Sequence, residues 1–184
     1  MTELSTDRLL LRQWRESDRG PFAAMNADPA VMEHFPALQT REMSDALIDR
    51  NIPEIDGRGW GLWALEVRDT GEFIGFTGLS VPSFEAHFMP AVEIGWRLMK
   101  GAWGNGYATE AARASLEHAF GPAGLDELVS FTTTTNLPSQ RVMQRIGMVH
   151  DESGDFDHPR LPDAHRLQRH VLYRISRAQW EATR

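Results

Sequence analysis

Two short stretches of this 184-residue chain set reactive residue types at spacings that could do chemistry. The first is Trp103-Gly104-Asn105-Gly106-Tyr107-Ala108-Thr109-Glu110-Ala111. It follows a strand-like run, Ala91 to Met99, and leads into a helix-like run, Ala108 to Phe120. The first N–H groups of a helix lack partners within it and carry the positive end of its dipole. Glycines let an anion approach those groups closely, so the segment reads as a cradle for a phosphorylated ligand. It is not a dinucleotide fingerprint, because the third glycine would fall at Thr109, and no Gly-Lys-Ser/Thr follows to make a P-loop.

The second stretch runs from Thr132 to Met148. A β-branched strand, Glu127 to Thr135, ends at Asn136, a plausible helix cap, with Pro138 in the first turn. Val142, Met143 and Ile146 share one helical face, and Gly147 ends the helix. A third segment, Asp155 to His165, is rich in carboxylates, histidines and prolines. Its ligand spacing matches no helical metal motif, so no metal is expected, and the prolines suggest a rigid loop.

The elements around these stretches alternate. Strands are expected at Arg8–Trp14, Trp60–Val67, Phe73–Leu79, Ala91–Met99, Glu127–Thr135 and His170–Ile175. Helices are expected from Ser17 to Ala27, from Thr40 with Met43, Ala46, Leu47 and Arg50 on one side, and after the Ser176 cap. Asp56-Gly57-Arg58-Gly59 should break the second of these. The pattern is a mixed α/β layer structure on one sheet, read as one domain over 1–184.

Composition bounds the function. The chain is 41% hydrophobic and 24% charged, ordinary for a globular protein. It has no cysteine, which excludes disulfides, thiolate zinc sites and a cysteine nucleophile. No apolar run approaches the ~20 residues of a membrane span, and the N-terminus does not read as a secretory signal, so a cytoplasmic location is expected. A net charge of −7 argues against nucleic-acid binding and suits a cationic acceptor.

Taken together, Glu93-Ile94-Gly95-Trp96, Trp103 to Ala111, and Asn136-x-x-Ser139 to Ile146-Gly147-Met148 resemble the GNAT superfamily of acyl-CoA N-acyltransferases. The opening Thr6-Asp7-Arg8-Leu9-Leu10-Leu11-Arg12 is similar to the branch that includes the ribosomal-protein N-terminal acetyltransferases. The resemblance implies a mostly antiparallel twisted sheet of about seven strands, splayed between the fourth and fifth. It implies acetyl-CoA as co-substrate, an amine acceptor (protein N-terminus or small molecule), and the homodimerisation common in the family. Carried over by residue, Leu98 and Met99 would lie along the pantetheine. Ala102, Trp103, Gly104, Asn105, Gly106, Tyr107 and Ala108 would hold the pyrophosphate. Asn136 and Ser139 would approach the thiol, and Arg145 the phosphates. One departure stands out: Gly101, after Lys100, occupies a position where the family usually has Gln or Arg.

Direct transfer needs a neutral amine, a donor to the oxyanion and a partner for the departing thiolate. Ser139 is the candidate thiolate partner, with Asn136 beside it. Glu93 is the candidate base, since alternation sets Glu93, Gly95 and Arg97 on one strand face; pairing of Glu93 with Arg97 or another nearby arginine is the structural alternative. In the fold that the resemblance implies, the Asp155 to His165 loop lies near the acetyl end, so Asp157 or His158 could contact the acceptor amine or serve as a base. Two alternatives stay open: catalysis by positioning alone, and a CoA-binding sensor or scaffold without catalysis.

Overall fold

The computed structural model describes residues 3–183. The strands are β1 (Leu4–Ser5), β2 (Leu9–Arg12), β3 (Leu62–Val67), β4 (Phe73–Ser80), β5 (Glu93–Leu98), β6 (Glu127–Thr133), β7 (Val149–His150), β8 (Phe156–Asp157) and β9 (Arg169–Ser176). The helices are α1 (Arg19–Asn26), α2 (Arg41–Arg58), α3 (Tyr107–Phe120), α4 (Leu137–Arg145) and α5 (Arg177–Ala182). The sheet order is β1-β2-β3-β4-β5-β6-β9-β7, with β8 also on β9. Six strands match the expected runs, and the additional three are two residues long.

Every strand pair is antiparallel except β5 with β6. Those two run parallel and meet at one residue pair, Glu93 with Val129. Beyond that pair they separate, which is the expected splay.

Helices cover both faces. Phe76 on β4 packs with Trp14 and with Phe22 of α1, while Ile48 and Ile55 bring α2 onto the same core. Leu79 and Ile94 point the other way, into a core with Leu116 of α3, Leu128 and Met143 of α4. A third cluster, Phe88, Val129, Phe156 and Leu172, sits beside β6 and β9. Arg12, buried in β2, is held by Asp18 at 2.7 and 2.9 Å and by Glu66 at 2.7 Å, which ties the start of α1 to the sheet.

One helix differs from its expected face. The buried positions of α2 are Ser44, Ile48, Asn51 and Ile55, and Met43 is exposed. The helix runs through Pro53 and Gly57 and stops only at Gly59. Polar burial explains the shift: Ser44 Oγ accepts from the Asn26 amide at 3.0 Å, and Asn51 Nδ2 donates to the Leu47 carbonyl at 2.8 Å.

Candidate active site

The splay opens a cleft of ≈ 760 Å³ between β5 and β6. Its walls come from β5, the loop into α3, the start of α4, residues 30–36 and the 158–167 loop. Strand alternation decides which backbone groups face it. Val129 N–H donates to the Val92 carbonyl, and Met99 N–H donates to Ile74 of β4. By the same alternation, the Trp96 N–H and C=O and the Leu98 N–H face the gap left by β6. This unpaired edge can bind an extended amide-bearing chain. The Leu98 carbonyl is already occupied, since the Trp103 indole donates to it at 2.9 Å.

One end of the cleft is the glycine loop. Gly104 and Gly106 have φ of 78° and 80°, a left-handed backbone that costs other residues dearly. None of the N–H groups from Gly104 to Thr109 has a partner among the described residues. The start of α3 is held rigidly: Glu110 accepts from Thr6 Oγ1 at 2.6 Å, Arg8 N at 3.0 Å and Arg8 Nε at 2.7 Å. These three bonds keep the Glu110 carboxyl below its ordinary pKa, against the opposing effect of its partial burial. Arg141 and Arg145 line the cleft from α4. A row of six unpartnered donors with two arginines nearby fits a pyrophosphate. At Gly101 a side chain would meet nothing within 4 Å, so no steric demand requires glycine there.

The middle of the cleft carries Asn136 and Ser139. Asn136 Oδ1 accepts from Ser139 N at 3.2 Å, capping α4, and its amide donates to Thr132 Oγ1 at 2.9 Å. The Asn136 side chain is therefore engaged in holding the turn. The Ser139 hydroxyl has no hydrogen-bond partner among the described residues and borders the cleft.

The far end is built on the other side of β5. Among the described residues Glu93 has one polar side-chain contact, Ser80 Oγ donating at 3.5 Å. The residue is half-buried on the cleft wall, and burial of its carboxyl pushes its pKa up to about 8. A Cβ on Gly95 would meet only Glu93 Oε1, at 3.8 Å, so the strand is open beside the carboxyl. Arg97, two residues on along the same face, does not pair with Glu93. Its Nη1 donates to Asn26 Oδ1 at 2.7 Å, and its guanidinium lies 4.1 Å from the Phe35 ring centre. Burial lowers its pKa to about 10. His158 and His170 stand 5.0 Å apart between ring centres among Phe84, Phe131 and Phe156. Burial, then repulsion from His170 and Arg160, lowers His158 to about 4, and burial also lowers His170.

The cleft brings together Glu93, Leu98, Ala102, Trp103, Gly104, Gly106, Tyr107, Ala108, Asn136, Ser139, Arg145 and His158. Three expected residues are not in its lining. Met99 spends its N–H on Ile74 and packs against the core. The Asn105 side chain turns back to the Ala102 and Trp103 carbonyls. Asp157 is exposed and pairs with Arg169, because alternation in β8 buries Phe156 instead. Ser80, Arg97, Arg160 and His170 join the site without having been singled out. Only Arg97 gave a signal, its place on the face of Glu93.

The sequence profile of the Acetyltransferase (GNAT) domain matches residues 8–149. The uncharacterized Bacillus subtilis protein YkkB is 33% identical over 83% of this chain and 88% of its own. A GNAT-family acetyltransferase from Bacillus anthracis superposes with a TM-score of 0.78 at 23% identity, covering 96% of this chain and 99% of that one. RimL, a ribosomal L7/L12 alpha-N-protein acetyltransferase solved in complex with coenzyme A, gives 0.73 at 18% identity, over 95% and 97%. With a domain profile over most of its length, a splayed sheet and a donor-lined cleft, the chain belongs to the GNAT acetyltransferase family and is an acetyl-CoA-dependent acetyltransferase.

Proposed function

We propose that this protein transfers the acetyl group of acetyl-CoA directly to a primary amine of a small molecule, with Glu93 receiving the amine proton. The observation that carries this reading is the half-buried Glu93 carboxylate side chain on the cleft wall, next to the open strand at Gly95. Acetyl-CoA supplies an activated thioester carbonyl, and the chain supplies the rest. Gly104 to Thr109 hold the pyrophosphate, with Arg145 nearby. The Trp96 or Leu98 N–H donates to the carbonyl oxygen as it becomes an oxyanion. Glu93, once ionised, takes one proton from the attacking nitrogen, directly or through a water. Ser139 donates to the departing thiolate, and Asn136 holds Ser139 in place. His158, kept neutral, borders the acceptor.

The preference for a small amine over a protein N-terminus rests on how the acceptor end is roofed. The guanidinium of Arg160 holds the Ser83 carbonyl and hydroxyl, and Arg166 donates to the Glu33 carbonyl at 3.2 Å. The 158–168 loop is thereby tied to both rims. The test is thiol release from acetyl-CoA with small amines and with peptides bearing free N-termini. Faster release with small amines supports the proposal. Release with peptides alone moves the acceptor to protein, and acetyl-CoA binding with no release for any amine sinks the transfer reading.

A further inference from the structure

Arg97 is 9% exposed, and no described carboxylate pairs with it. The contrast with Arg12 is direct. That guanidinium, buried in the same sheet at 2% exposure, is matched by Asp18 and Glu66. Arg97 instead meets one neutral amide and two aromatic faces, Phe35 at 4.1 Å and Phe76 at 5.4 Å. Its Nε is buried without a hydrogen-bond partner among the described residues. Its Nη2 makes no hydrogen bond within the described protein, and it is not sealed off as Nε is. Arg97 borders the cleft together with Glu93 and Gly95.

The guanidinium is also held in place. Asn26 Nδ2 donates to Ser44 Oγ at 3.0 Å, and Ser44 Oγ donates to the Thr40 carbonyl at 3.0 Å. This buried chain across α1 and α2 turns the Asn26 oxygen toward Arg97, and every member of it is neutral. Burying a charge without a counter-charge is costly, and aromatic faces offset only part of that cost. A fixed, desolvated guanidinium with free donors is the arrangement that binds a planar carboxylate.

We infer that Arg97 binds a carboxylate of the acceptor, so that the substrate is an amine that also carries a carboxylate, as an amino acid does. The inference rests on the transfer reading for the amine, but not for the carboxylate. Gly95, between Glu93 and Arg97 on one face, leaves room for an acceptor to span the two.

The test separates binding from transfer. N-acetyl derivatives of glycine, leucine and glutamate stand for the product class, and their carboxamides for the same molecules without the α-carboxylate. Calorimetric titration into CoA-loaded protein should show acids binding about 10- to 100-fold more tightly than amides. Arg97→Gln should abolish that preference while CoA affinity stays within about twofold, and Arg97→Lys should keep only part of it. Equal binding of acid and amide by the wild-type protein overturns the inference without depending on any variant's folding. Preference retained in a folded Arg97→Gln protein overturns it too. Carboxylate preference without acetylation of any amino acid would uphold Arg97 as the carboxylate site and defeat the transfer reading alone.

Discussion

Ser80 Oγ lies 3.5 Å from the Glu93 carboxyl, across the β4–β5 ladder, and is its one polar side-chain partner among the described residues. A single long hydrogen bond does not repay the desolvation of a carboxylate, so the folded protein favours the protonated acid, with a pKa moved from 4.5 to about 8.

The sign of the stability effect follows. Between those two values the folded state holds a proton that the unfolded chain has lost, so stability falls as pH rises. His158 and His170 act oppositely below 6.5, where the unfolded chain gains protons they resist. The fall should therefore show best from about 6.5 to 8. Thermal melts of wild type and Glu93→Gln across this range check it, and the variant should lose the slope.

Ser139→Ala should lower kcat about 10- to 100-fold, the loss of one hydrogen bond to a developing charge. Acetyl-CoA affinity should change little, because Asn136 caps the backbone N–H of residue 139 whatever its side chain. Single-turnover rates and equilibrium titration separate the two. Equal losses in both would make Ser139 a cofactor contact only.

The glycine loop gives two opposed predictions. Gly106→Val forces a β-branched residue to a φ near 80°, costing roughly 1–3 kcal/mol, and should weaken acetyl-CoA binding with it. Gly101→Arg strains nothing, since the position is open, and adds a cation near the proposed pyrophosphate. It should tighten acetyl-CoA binding roughly two- to fivefold at low salt, as expected for an exposed charge. Calorimetry reads both, and no gain for Gly101→Arg would remove the pyrophosphate from that end of the cleft.

What could be read from the sequence was local. Gly104 and Gly106 before a helix, Asn136 three residues before Ser139, and the alternation of Glu93, Gly95 and Arg97 each declare their geometry within a few residues. What escaped depended on distant partners. Ser44 and Asn51 lie buried in α2, Ser44 with Asn26 and Asn51 on its own helix, while Met43, an apolar letter, is exposed. Pairing of Arg97 with Glu93 was the structural alternative; its partner is instead Asn26, on α1, and that no described carboxylate meets it is a three-dimensional fact. Asp157 faced the wrong way because β8 is a strand, and two residues are too few to announce one.

Glu93 as the acceptor of the amine proton must leave its mark on the rate of acetyl transfer. The pH dependence of kcat/KM for thiol release, in wild type and Glu93→Gln with the same amine, tests it most directly. The amine's own ionisation contributes a rise common to both, so the difference between profiles is the readout. Wild type should show an additional limb with an apparent pKa of about 8, absent from a variant that is about 10²- to 10⁴-fold slower. A folded Glu93→Gln enzyme with the wild-type rate and profile would contradict it and leave the proton to water.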